Sequence, residues 1–153
     1  MRKQISSRVS IALLCLAIAL LGSCSVKTKI PAGFAEVSGG SGSFRAISPE
    51  GLRYEVYDRA NDPKQSLAFW NEAYEYRMKS SGYTSLGEAS LLKTGMGEVS
   101  LHEWLLSWGN QEYVFAHAIG LKNDRVVVVQ MGGLRSDYDE YRPALVDAIK
   151  TLN

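Results

Sequence analysis

Few residues of this 153-residue chain can perform thiol or imidazole chemistry. It contains two cysteines, Cys15 and Cys24, and two histidines, His102 and His117. Two cysteines cannot build a disulfide framework, and two histidines fall short of the three or four ligands that a zinc site needs. Positive and negative charges are nearly balanced, with 17 Lys and Arg against 16 Asp and Glu. We therefore expect no nucleic-acid partner, because phosphate neutralisation supplies most of that affinity.

The sequence also lacks an apolar run long enough to cross a bilayer. Its main run, residues 9–21, has thirteen residues, and as a helix these would rise roughly 20 Å against a hydrocarbon core of ~30 Å. Arg2, Lys3 and Arg8 precede the run. A basic start followed by a short apolar stretch is typical of a secretory signal peptide, which we assign to residues 1–23.

The stretch Leu21-Gly22-Ser23-Cys24 resembles the bacterial lipobox, an aliphatic residue and two small residues before an invariant cysteine. The resemblance implies cleavage between Ser23 and Cys24 and acyl chains on Cys24, which would hold the protein to a membrane. The alternative is an ordinary signal peptide with a cysteine nearby. Ser25 rather than an aspartate favours the outer membrane, facing the periplasm, in lipoproteins of the enterobacterial type.

Cleavage at that point changes the charge and the chemistry of the mature chain. It leaves 14 Lys and Arg against 16 Asp and Glu, a formal charge of −2, and no cysteine besides Cys24. Residues 24–43 are rich in Gly and Ser, which predicts a flexible tether with a short edge strand at residues 34–37. Residues 44–153 are predicted to form one globular α+β domain.

Hydrophobic periodicity and turn residues predict the elements of this domain. A hairpin, a first helix that Asp62 caps, a run of strands and a closing helix follow one another. Pro143 indicates that the closing helix starts late or holds the proline in its first turn. The predicted ranges are 44–48 and 52–58 for the hairpin, 63–79 for the first helix, 83–92, 97–108, 113–121 and 125–131 for the strands, and 137–152 for the last helix.

The two faces of the predicted sheet differ in chemistry. If the turn at residues 123–124 has two residues, Ile119 faces Val128 and His117 faces Gln130. The neighbouring strand then presents small side chains on one face and bulky ones on the other. Such a sheet is expected to carry a helix on each face, in an antiparallel meander with α/β/α layers.

The order of hairpin, aromatic helix, meander and closing helix resembles the PsbP-like fold, named after the extrinsic P subunit of photosystem II and shared with a Ran-binding nuclear import factor. The matching parts are the turn Ser48-Pro49-Glu50-Gly51, the first helix and the strand at residues 126–129 with the helix after it. The resemblance covers about residues 44–152. It implies a protein that binds other proteins, and it carries no functional residue across.

Sequence motifs for catalysis are weak. No Ser or Thr is visibly paired with a histidine and a carboxylate, and no cofactor motif is present, so we predict neither a catalytic residue nor a cofactor. His102 and His117 would oppose each other if Trp104 pairs with Phe115, and would separate in a register two residues longer. Glu103 points to the opposite face of the strand from His102. The sequence therefore predicts no metal site.

Aromatic residues are the remaining signal, since exposed aromatics mark partner surfaces. Our first hypothesis is a lipid-anchored, non-catalytic module that binds another envelope protein through the first helix or the bulky sheet face. The second is a small-ligand carrier with a pocket between sheet and helix. The third is a metal-assisted hydrolase that uses both histidines. The partner-binding candidates are Phe69, Trp70, Tyr74 and Tyr76, and the pocket candidates are Trp104, Trp108 and Tyr113.

Overall fold

The computed structural model describes residues 26–37 and 43–153. The predicted signal peptide, its cleavage site and the lipidation of Cys24 lie outside the described residues. Within the described part of the chain, neither helix is both long and apolar enough to cross a bilayer.

The described residues form one antiparallel sheet of eight strands and two helices, as the sequence predicted for the fold class. The sheet order is β1-β2-β3-β8-β7-β6, and two short strands, β4 and β5, both pair with the outer edge of β6. The bounds are β1 Ala35–Val37, β2 Ser43–Ile47, β3 Arg53–Ala60, α1 Leu67–Ser80, β4 Thr84–Ser85, β5 Ser90–Thr94, β6 Gly97–Trp108, β7 Gln111–Lys122, β8 Arg125–Leu134 and α2 Arg135–Lys150.

The register follows from the two tight turns that join β6, β7 and β8. Asn123 adopts a positive φ of 53° in the turn between β7 and β8. This turn pairs Ile119 with Val128 and His117 with Gln130, as predicted. The turn between β6 and β7 pairs Trp104 with Phe115, which places His102 opposite His117. Of the two registers that the sequence allowed, the structure has the one that brings the histidines together.

Helix α2 packs on the face of the sheet that carries small side chains. Ala116 and Ala118 on β7 are fully buried there, and Leu145 and Ile149 of α2 belong to the same apolar cluster. Because the β7 side chains are small, the helix can approach the sheet closely. A Cβ atom on Gly133 would lie 2.5 Å from a methyl carbon of Leu52, so this face has no spare volume at that point.

Helix α1 packs on the opposite face, over the end of the sheet near the turn between β7 and β8. Tyr74 shares a second cluster with Ile119, Val126 and Val128, and Trp70 packs against its edge. The sheet is therefore covered by a helix on each face, as predicted, although the fourteen residues of α1 cover only part of their side.

Both helices begin at positions that differ from the predicted ones. Asp62 does not cap α1; Ser66 does, and its hydroxyl accepts a hydrogen bond from the Phe69 backbone N–H. Tertiary contacts of Asn61 hold the preceding loop, as described below. Helix α2 begins at Arg135 and continues through Pro143, against both alternatives that the sequence offered. Pro143 is exposed, so water can satisfy the carbonyl whose hydrogen bond the proline removes.

The described residues 26–37 of the predicted tether contact the domain at several points. The Lys27 backbone N–H donates to the Asn153 carbonyl, and the Asn153 N–H donates back to Lys27. Val26 packs against the main apolar core, and the Phe34 ring meets the Tyr141 ring edge-on at 5.3 Å between centroids. Strand β1 is the predicted short edge strand. Composition alone suggested flexibility here. It could not reveal these contacts, because their partners lie more than a hundred positions away in the sequence.

Candidate functional site

A stack of aromatic and imidazole rings lies beneath helix α1. The His117 ring is 5.1 Å from that of His102 with 10° between their planes, and 6.1 Å from that of Trp104 with 15° between planes. The Trp104 indole N–H donates to His117 Nδ1 at 3.3 Å. His117 is therefore neutral with its proton on Nε2, which has no hydrogen-bond partner. Burial, with a smaller contribution from the charge of His102, lowers the pKa of His117 to about 3.

The stack does not supply the ligands of a metal site. Two imidazole nitrogens alone fall short of the three or four ligands that a zinc site needs. The rest of the described chain supplies no third ligand, because its His, Cys, Asp and Glu side chains form no group of three or more that could hold an ion. The stack is explained by packing.

The aromatic residues of α1 divide into an inner and an outer set. Tyr74 is buried at 8% exposure, with its ring 5.0 Å from that of His117, and Trp70 is half-buried. The outer set is Phe69, at 45% exposure, and Tyr76, at 76%. Of the four predicted partner-binding residues, two are thus committed to packing and two point to solvent.

Asn61 explains why Trp70 faces inward. The buried Asn61 side chain accepts hydrogen bonds from the Trp70 indole N–H at 2.9 Å and from the Gln65 backbone N–H at 3.0 Å, and its amide donates to the Gln65 carbonyl. The Arg59 guanidinium lies 4.6 Å above the Trp70 ring, in a cation–π contact. These contacts fix the start of α1 against the sheet, and no local sequence pattern predicts them.

The three predicted pocket residues do not line one pocket between sheet and helix. Trp104 is 1% exposed and belongs to the ring stack, whereas Trp108, four residues further on the same face of β6, is 75% exposed. Tyr113 is half-buried and lies opposite Leu106 in the register. Trp104 packs beside His117, on which Tyr74 of α1 lies, whereas Trp108 is at the tip of the hairpin.

Four side chains form an apolar surface at the tip of the hairpin between β6 and β7, with Trp108 exposed and Leu106, Tyr113 and Phe115 half-buried. We call this the distal surface. Leu106, Trp108 and Tyr113 line a shallow open depression of about 240 Å³. Phe115 continues the surface on the same face of β7 and packs against Tyr83 at 6.0 Å between ring centroids. Exposed clusters of large apolar side chains are typical of interaction sites.

A second open depression of about 240 Å³ extends the distal surface toward β3. It lies beside Phe115 and is lined by Arg53, Glu55 and Gln130 among others. Glu55 accepts a hydrogen bond from the guanidinium of Arg45 on the next strand at 2.8 Å. The apolar tip is therefore bordered by charged and amide groups, an arrangement that resembles the apolar core and polar rim of protein interfaces.

Leu106 and Phe115 are not among the site residues predicted from the sequence, although their positions were predictable. Trp104, Leu106 and Trp108 alternate along β6, and the pairing of Trp104 with Phe115 places all of them on one face. What the sequence could not supply was the length of the sheet that α1 leaves uncovered.

An ion pair on the opposite face has a structural role. Glu103 accepts hydrogen bonds at 2.7 Å from the Tyr138 hydroxyl and from two guanidinium nitrogens of Arg142. Burial would raise the pKa of Glu103, but the hydrogen bonds from Arg142 and Tyr138 outweigh it and hold the pKa below its ordinary value. This pair ties α2 to the centre of β6.

Comparison with known proteins identifies the fold. No protein-family model matches the chain, and no curated protein matches its sequence. Solved structures do match. LpqN of Mycobacterium tuberculosis, involved in cell envelope biogenesis, has a TM-score of 0.61 at 12% identity, over 84% of this chain and 83% of that chain. PA94 of Pseudomonas aeruginosa, a protein of unknown function, has a TM-score of 0.60 at 11% identity, over 84% and 96%.

The Ran-binding protein Mog1p of Saccharomyces cerevisiae is a third match, with a TM-score of 0.53 at 15% identity, over 85% of this chain and 86% of that chain. At such low identities the likeness shows a shared fold and carries no shared activity. The chain has the α+β fold of these proteins, and the PsbP-like architecture expected from its sequence is confirmed.

Proposed function

We propose that this protein is a lipid-anchored, non-catalytic envelope protein that binds another envelope protein through its distal surface. The lipobox-like stretch ending at Cys24 supports the anchor. The likeness in fold to LpqN, which is involved in cell envelope biogenesis, and to the Ran-binding Mog1p is compatible with a binding role in the envelope.

The exposure of Trp108 carries this proposal. An indole that is 75% exposed at a hairpin tip leaves a large apolar area in contact with water, which is unfavourable unless a partner covers it. Trp and Tyr are enriched among the residues that dominate binding energy at protein interfaces. Trp108 and Tyr113 lie side by side here, and the polar border beside Phe115 supplies hydrogen-bonding groups.

The experiment is chemical crosslinking in intact cells, followed by affinity capture of the lipidated protein and mass spectrometry. We expect one envelope protein to be captured by the wild type and lost with Trp108→Ala. Tyr76→Ala is the matched control, because Tyr76 is as exposed as Trp108 but lies on α1. Capture that survives Trp108→Ala and disappears with Tyr76→Ala would assign the binding to the helix instead.

The geometry favours the other two hypotheses less. A small-ligand carrier would need an enclosed pocket, typically of about 300–1,000 Å³, and the depression beside Trp108 is smaller and open. A metal-assisted hydrolase built on both histidines would need a further ligand, and the His, Cys, Asp and Glu side chains of the described residues form no group of three or more that could hold an ion.

A further inference from the structure

We infer that the lipid anchor holds the domain end-on against the bilayer, so that residues 26–29, 93–96 and 151–153, which we call the anchor end, face the lipid headgroups. This inference rests on the proposed lipidation of Cys24. The anchor end faces the headgroup surface of the anchoring membrane. The length of chain between Cys24 and the folded domain decides how far the domain can move away from that surface.

That length is short because Val26 and Lys27 already contact the folded domain. The Lys27 backbone exchanges two hydrogen bonds with Asn153, at 3.0 and 3.1 Å. The Lys29 N–H donates to the Thr151 hydroxyl at 2.9 Å. Three peptide steps separate Cys24 from Lys27, and a fully extended chain of that length spans about 11 Å. The domain therefore has no long tether on which to reorient.

The contacts of Thr28 tie this segment to a buried core residue, Tyr54. Its hydroxyl lies 3.0 Å from the Tyr54 hydroxyl and donates to the Ala148 carbonyl at 3.3 Å. Tyr54 is fully buried, and burial raises its pKa to about 12. Releasing the segment would leave this buried hydroxyl without a partner, which carries a desolvation cost.

The distal surface lies at the other end of the molecule. The Met96 backbone N–H donates to the Leu152 carbonyl, which places the turn before β6 at the anchor end. Strand β6 then runs twelve residues to Trp108, a rise of roughly 35 Å at the usual spacing of a strand. An end-on anchor therefore projects Trp108 away from the membrane. The partner's binding site would lie at a similar distance from the membrane surface.

The test measures the distance of two positions from the membrane with single cysteines in the full lipidated protein. The positions are Lys93→Cys at the anchor end and Asn110→Cys at the distal tip, both exposed in the wild type. Once Cys24 is acylated, the introduced thiol is the one that a fluorescent maleimide can label, because the mature sequence holds no other cysteine. The protein is reconstituted into phosphatidylethanolamine–phosphatidylglycerol vesicles that contain a lipid with a nitroxide quencher on its headgroup.

We expect the label at position 93 to be quenched several-fold more than the label at position 110. A control protein carries an insertion of about twenty Gly and Ser residues between Ser25 and Val26, with a root-mean-square span of roughly 25 Å. Its two positions should approach equal quenching. Equal quenching without the insertion would overturn the end-on orientation while leaving the anchor intact. A Cys24 thiol that itself reacts with the maleimide would instead refute the lipid anchor.

Discussion

The two faces of the sheet differ in how completely a helix covers them. On the α2 face, alanines and valines pack under a sixteen-residue helix, and an ion pair from Glu103 fixes that helix to β6. On the α1 face, larger rings pack under a shorter helix that stops before the hairpin tip. The same strand therefore carries a buried tryptophan and an exposed one. The difference lies in how far the helix reaches rather than in the residue type.

The largest expected effect comes from the buried tryptophan. Trp104→Ala removes a fully buried ring and the hydrogen bond to His117, so we expect a loss of about 4 kcal/mol in the free energy of unfolding. Urea denaturation followed by circular dichroism measures this loss. Trp108→Ala, on the same strand face, is the control. Similar losses from the two variants would contradict the assigned burial.

Acid should destabilise the protein through the ring stack. The pKa of His117 is about 3 in the folded state and 6.5 ordinarily, so the unfolded chain binds the extra proton between those values. Stability is then full above pH 6.5 and falls as the pH drops, by up to about 1.4 kcal/mol per pH unit within that window. His117→Asn, which cannot titrate, should flatten the slope of stability against pH between 6.5 and 4. An unchanged slope would mean that His117 is accessible to protons when folded.

Overpacking tests how tightly α2 packs on the sheet. Ala118→Leu inserts a larger side chain beneath α2, where Ala118 is fully buried, and should cost about 2 kcal/mol. Ala73→Leu, at an exposed position of α1, is the matched control and should change stability little. Thermal unfolding of both variants measures the contrast. If Ala118→Leu were neutral, the α2 face would have room that the structure does not show.

The ion pair beneath α2 gives an effect of similar size. Glu103→Gln weakens charge-assisted hydrogen bonds from Arg142 and Tyr138 and should cost about 2 kcal/mol at neutral pH. Because folding lowers the pKa of Glu103, its contribution is present above the ordinary carboxyl pKa and is lost as the pH falls through the folded value. The gap between wild type and variant should therefore close in acid. Glu98→Gln, at an exposed glutamate of the same strand, should show no such gap.

The smallest effect on stability is expected where the effect on binding is greatest. Trp108→Ala removes a side chain that is mostly in water, so its unfolding free energy should change by less than about 0.5 kcal/mol. Denaturation measured on the same preparations used for partner capture checks this point. A large loss of stability would mean that Trp108 packs in the fold and would remove the observation on which the proposed function rests.

The fold could be predicted from the sequence because turn residues and strand alternation depend on neighbouring positions in the chain. The two-residue turn at Asn123 was enough to predict the register of β7 and β8. The failures depend on contacts between distant residues. Asn61 holds the loop before α1, so Ser66 replaces Asp62 as the cap, and residues 26–29 pack against the end of the chain although their composition suggested a tether.

The candidate site was predicted in part for the same reason. Alternation places Trp104 and Trp108 on one face, but whether either is covered depends on where α1 ends. The periodicity of apolar residues along α1 could not predict which tryptophan is covered, since aromatic residues occur on both the inner and the outer side of the helix.

Site-specific photocrosslinking in living cells tests the central claim most directly. A photoreactive amino acid is placed at position 108 in one strain and at position 76 in another, since the wild-type side chains there are almost equally exposed. We expect a crosslink from position 108 to one envelope protein and none to that protein from position 76. A crosslink to that protein from position 76 alone, or equal crosslinks from both positions, would contradict binding through the distal surface.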